Sequence, residues 1–174
     1  MKSSRMMLLA VLVSCAVTAF GQSETQKAFE RLKSLEGSWE GTMTTHPKFE
    51  GVDGTRTKVT FRVTSMGHTL MHEMTGEGRP DDPITMLYLE EGELALTHYC
   101  DAGNRPRMVG KVSPDGKTVT FAFTALTGST EHGHMHGAVF TFLDADRHSE
   151  EWTFMTPDGK PMHARIELRR TTTK

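Results

Sequence analysis

The stretch "KVTFRV", Lys58 to Val63, alternates without a break: Val59, Phe61 and Val63 fall on one side, Lys58, Thr60 and Arg62 on the other. Successive strand side chains point to opposite faces, so this is a strand with one dry and one wet face. A helix would need apolar recurrence at three and four residues instead. The same period of two returns in "TVTFAFTA" (Val119, Phe121, Phe123), "EEWTFM" (Trp152, Phe154) and "PMHARIEL" (Met162, Ala164, Ile166, Leu168). Turn signals separate such runs: Gly51-Val52-Asp53-Gly54, Glu91-Gly92, Ser113-Pro114-Asp115-Gly116 and Thr156-Pro157-Asp158-Gly159. Short alternating strands broken by Asp-Gly turns describe an antiparallel meander.

Ten strands are predicted, near 38–46, 55–66, 68–75, 83–90, 93–100, 106–112, 117–126, 133–143, 147–156 and 160–170. Ahead of them, Ser23-Glu24-Thr25-Gln26 has capping-box spacing, and Phe29, Leu32 and Leu35 recur at helical intervals before Gly37. No long second helix follows, which argues against a parallel sheet. Ten strands in one small domain expose edges unless the sheet closes. The expected fold is all-β: a closed or nearly closed antiparallel meander barrel with one short N-terminal helix.

The first 21 residues have a different character. Lys2 and Arg5 precede an apolar run from Met6 to Phe20, which ends in Ala19-Phe20-Gly21. A charged start, an apolar middle and a small-x-small end form a secretory signal peptide, and the run is short for a membrane span. Leu12-Val13-Ser14-Cys15 offers a second reading as a lipoprotein box, with a lipid on Cys15 as the membrane anchor. Both readings export the protein, to the periplasm or the medium, free or anchored. Removal of 1–21 leaves 22–174 as a single barrel domain. It then carries 18 of the 20 basic residues against 22 acidic ones, a formal charge of −4 that disfavours nucleic acid as a partner. Cys100 is the one cysteine left, so no internal disulfide forms, and it is expected as a buried small hydrophobe.

The opening of the barrel, "LEGSWEGT" from Leu35 to Thr42, carries a resemblance. A short helix followed by Gly37-Ser38-Trp39 is similar to the start of the calycin barrels: lipocalins, fatty-acid-binding proteins and nitrobindins. It resembles in particular an uncharacterised group of secreted bacterial lipocalin-like domains with a G-x-W-x-G-x start. The resemblance implies a basic residue packed over Trp39 from the last strand, for which Arg165, Arg169 and Arg170 are candidates. It also implies a small-molecule ligand inside the barrel, without naming it. Nitrobindins hold haem through a histidine on the last strand, and His163 stands in a similar place. Its parity, however, is that of Arg165, Glu167 and Arg169 rather than of the apolar face, which speaks against haem.

Histidines supply most of the remaining chemistry. "EHGHMHGAVF" places His132, His134 and His136 at alternate positions, in phase with Ala138, Phe140 and Phe142 unless a bulge intervenes. His68 and His72 are in phase with Leu70, His98 with Leu94 and Leu96, and His148 with Glu150 and Trp152. An interior set of His68, His72, His134 and His136 would suit zinc. The bland alternative leaves them as solvated or hydrogen-bonded polar residues at a strand end. His98 and Cys100 share a face but lie about 7 Å apart by strand rise, too far for a direct bond. Arg107 is expected to face solvent or pair with an acid, and less simply to hold a ligand carboxylate.

No nucleophile elbow or phosphate-cradling glycine loop is present, so a binder is favoured over an enzyme. The expected role is an exported barrel binding a small, partly apolar molecule. Trp39, Phe61, Met86, Tyr88, Phe121, Phe123, Phe140 and Trp152 would form its wall, with His98 and Arg107 as polar anchors. Some of these aromatics must belong to closed core. A zinc-type metal barrel, or an enzyme using a histidine or Glu150 as base, are the alternatives.

Overall fold

The computed structural model describes residues 22–78 and 83–171; the proposed signal segment, Cys15 included, lies outside them. Helix α1 spans Glu24–Lys33. Its N-terminus is closed as the spacing predicts: Gln26 N donates to Ser23 Oγ at 3.2 Å, and Ser23 N donates to Gln26 Oε1 at 3.0 Å. Ala28, Phe29 and Leu32 are buried on one stripe of the helix.

Ten strands follow: β1 (Gly37–His46), β2 (Arg56–Thr64), β3 (Thr69–Gly76), β4 (Ile84–Glu90), β5 (Glu93–Tyr99), β6 (Asn104–Val112), β7 (Thr118–Gly128), β8 (His134–Phe142), β9 (Arg147–Met155) and β10 (Pro161–Arg170). Each is hydrogen-bonded antiparallel to its neighbours in chain order, and β1 also pairs with β10, so the barrel is closed. Closure leaves no sheet edge among the described residues, which a ten-strand meander otherwise exposes. The alternation in Lys58 to Val63 puts Val59 and Phe61 in the core, with Lys58 and Arg62 outside.

Helix α1 packs on β2, β4, β5 and β6, and the end it covers is filled with side chains. Trp39, Phe61, Phe121 and Phe140 are fully buried there with Leu70, Leu94 and Leu168. Trp39 is held from three directions. Its Nε1 donates to Leu35 O at 2.8 Å, the His148 ring packs perpendicular to it with centroids 4.3 Å apart, and the Arg170 guanidinium lies 4.1 Å from the ring centroid. Of the three candidate arginines, Arg170 is therefore the one over the tryptophan. Its Nη1 donates to Glu36 O (2.7 Å) and its Nη2 to Ser34 O (3.0 Å), so one planar fork also satisfies carbonyls just beyond the helix C-terminus. Arg165 instead pairs outside the barrel with Glu151 and Glu167, and Arg169 is exposed. The second glycine of the G-x-W-x-G start has a steric reason: a Cβ on Gly41 would lie 2.4 Å from Glu167 O on β10.

Candidate functional site

The end opposite α1 is not filled. A cavity of about 380 Å³ opens there, walled by Met43, Met74, Met135, Phe154, Met162 and Ala164, with Phe49 and Val52 from the β1–β2 connection. These residues come from the far ends of β1, β3, β8, β9 and β10. Alternation gives all of the strand residues but Met135 inward parity, and their height along the barrel axis puts them beyond the packed layer. Flexible thioethers from four strands, β1, β3, β8 and β10, make a wall that can adapt to different apolar shapes. Trp152, His72 and His98 line the deep part.

Beneath that lining sits a buried charge. Glu150 is 0% exposed and does not touch the cavity. Its Oε2 is 3.0 Å from His72 Nε2 and accepts from Trp152 Nε1 at 2.9 Å, while Oε1 is 3.1 Å from His148 Nε2. Burial pushes the carboxyl up, but His72 and His148 outweigh it and hold it well below the usual carboxylate range. An ionised carboxylate can only accept, so both imidazoles present Nε2–H to it. That fixes their orientation and leaves Nδ1 of His72 and of His148 with no hydrogen-bond partner among the described residues. Phe61, Phe140 and Trp39 pack around these rings, making a polar knot inside an aromatic shell.

His98 is built differently. It is 4% exposed, its Nδ1 lies 2.8 Å from Thr85 Oγ1, and its ring sits 5.6 Å from Trp152. Burial, and then the neighbouring His72, push its pKa down to about 4, against a smaller opposing effect of Asp101. It is a neutral imidazole at physiological pH, with Nε2 left once Thr85 has taken Nδ1. At the rim, Cys100 is half-buried rather than in the core, its thiol 3.5 Å from Asp101 Oδ1, and burial pushes that thiol up. A raised thiol is a poor nucleophile.

The residues expected at the site divide into three groups. His98 and Trp152 line the cavity. Trp39, Phe61, Phe121 and Phe140 are closed core at the helix end or mid-barrel. The rest are corrected. Met86 and Tyr88 have the outward parity of β4, where Thr85 and Leu87 point in; the Tyr88 hydroxyl bonds Thr97 Oγ1 at 2.9 Å. Arg107 is outside too, ion-paired with Glu90. Phe123 is half-buried and stacks on His136 with centroids 4.7 Å apart, away from the cavity lining.

The four-histidine metal set is not brought together. His72 is bound to Glu150, whereas His68 is exposed at the helix end, after the one-turn 3-10 helix Ser65–Gly67. A β-bulge between Met135 and Gly137 shifts the register at His136, so Met135 takes the inward place and lines the cavity. His134 Nε2 and His136 Nδ1 meet each other at 3.2 Å beside Phe123. Among the described residues no three His, Cys, Asp or Glu side chains are grouped to hold a metal ion. His163 keeps the outward parity and is exposed, with Nδ1 3.1 Å from Thr153 Oγ1, but it also borders the cavity. Met43, Met74, Met162 and Phe154 were visible as inward positions and Met135 was not, and nothing in one strand's pattern told the open end from the packed end.

No protein-family model matches the chain, and no curated protein matches its sequence. Among solved structures, it is similar to Rv2717c from M. tuberculosis, at 17% identity over 83% of this chain and 98% of that one, with a TM-score of 0.59. It is also similar to a protein of unknown function of the DUF3598 family from Nostoc punctiforme PCC 73102, at 10% identity over 80% of this chain, with a TM-score of 0.53. The chain spans about half of that second protein, 49% of its length. At such identities the likeness is one of fold: a closed antiparallel barrel.

Proposed function

We propose that this chain is an exported, calycin-type barrel that binds a small, partly apolar molecule in the cavity at the end opposite α1. The observation that carries the reading is the cavity itself. About 380 Å³ lies within the range of small-molecule sites, and its walls are methionine and aromatic with a few polar groups converging at depth. The position of Arg170 over Trp39 supports the calycin resemblance. Export is supported by the sequence of the first 21 residues, with either cleavage after Gly21 or a lipid on Cys15.

The test is titration of the purified domain with the uncharged fluorescent probe N-phenyl-1-naphthylamine. Saturable one-to-one enhancement is expected, and Ala164→Phe, which fills the cavity from β10, should abolish it while the far-UV spectrum stays that of the barrel. Absence of saturable binding to the wild type, or undiminished binding to Ala164→Phe, would refute the reading. Intact mass of the exported protein separates a chain starting at Gln22 from one starting at lipidated Cys15.

A further inference from the structure

We propose that the cavity selects an uncharged amphiphile, an apolar chain ending in one hydroxyl or carbonyl bound by His98, and rejects fatty carboxylates. This rests on the binding reading above and adds the headgroup.

The first ground is the missing cation. Among the described residues, neither arginine nor lysine lines the cavity. The arginines whose partners are resolved on the neighbouring strands are engaged elsewhere: Arg107 with Glu90, Arg165 with Glu151, Arg170 with the carbonyls of Ser34 and Glu36. A carboxylate drawn inside would lose its hydration and meet no guanidinium fork among the described residues to replace it.

The second ground is that the buried carboxylate is already taken. Glu150 is ionised under the floor, one hydrogen bond behind His72 and Trp152, both of which line the cavity. An ammonium head gains little from Glu150, because three N–H donors already occupy that carboxylate, and Asp101, the one acidic residue of the described lining, already accepts from the Cys100 thiol.

The third ground is what does face the cavity. Neutral His98 with Thr85 behind it forms an adaptable pair. A hydroxyl can donate or accept, so Thr85 can hold either tautomer, and Nε2 then offers the ligand an N–H or a lone pair. One such group satisfies one hydroxyl or one carbonyl, while Met43, Met74, Met135 and Phe154 receive the chain.

The experiment displaces bound N-phenyl-1-naphthylamine at pH 7.5 with 1-decanol, decanoate and decylamine, matched in chain length. Decanol is expected to displace the probe at about one tenth of the concentration either charged analogue needs. Equal or better displacement by decanoate or decylamine, or displacement by none of the three, would overturn the inference while probe binding itself upholds the cavity. In His98→Leu the ratio of decanol to decanoate affinity should fall toward one; an unchanged ratio in the folded variant overturns the role of His98. The comparison on the wild type stands without any variant.

Discussion

Acidification from pH 7 to pH 5 should destabilise this barrel through His98, by an amount the structure sets. The imidazole is 4% exposed and has its pKa lowered from 6.5 to about 4, chiefly by burial. In the unfolded chain it takes up a proton as the pH drops through 6.5; in the barrel it stays neutral until near 4. The unfolded state therefore binds more protons between those values, and stability falls as pH falls across that window. At about 1.4 kcal/mol per pKa unit, the loss is about 2 kcal/mol at pH 5 and approaches about 3 kcal/mol near pH 4. For a domain of this size 2 kcal/mol corresponds to about 4–8 °C in melting temperature. Urea unfolding followed by tryptophan fluorescence at pH 7 and pH 5 measures it, with His98→Gln as the control that cannot titrate but can still bond Thr85. Wild type should lose about 2 kcal/mol more than the variant over this interval. Equal losses would show that His98 is not held neutral by the fold, and the electrostatic argument for the cavity floor would go with it.

Two further outcomes follow from the buried polar contacts. Glu150→Leu leaves His72, His148 and Trp152 without their common acceptor and should cost about 3–5 kcal/mol in denaturant unfolding. Replacing His72 and His148 by leucine as well should recover most of that; a single-mutant loss under about 1 kcal/mol would contradict an ionised, fully bonded Glu150. Arg170→Met should lower stability by about 1–2 kcal/mol through the lost ring contact and two carbonyl bonds. Arg170→Lys should restore less than half, because an ammonium cannot cover Trp39 and reach both carbonyls; full rescue by lysine would mean that charge alone matters.

Local chemistry determined much of this protein. Period-two alternation, Asp-Gly turns and the Ser23–Gln26 box are properties of neighbouring residues, and they located the helix and all ten strands to within a few residues at each end. Parity likewise sent His72, His98, His148 and Glu150 inward, because a regular strand has only two faces. Tertiary structure alone decided the rest. Alternation is blind to height along the barrel axis, so Phe121 and Phe154 look equivalent in sequence, yet one packs the core and the other walls the cavity. A bulge is a mismatch between two strands, so only the pairing of β8 with β9 shows that Met135 rather than His136 faces in. The Glu150 knot joins β3 to β9, residues 78 apart in the chain, and no spacing rule reaches across a closed barrel.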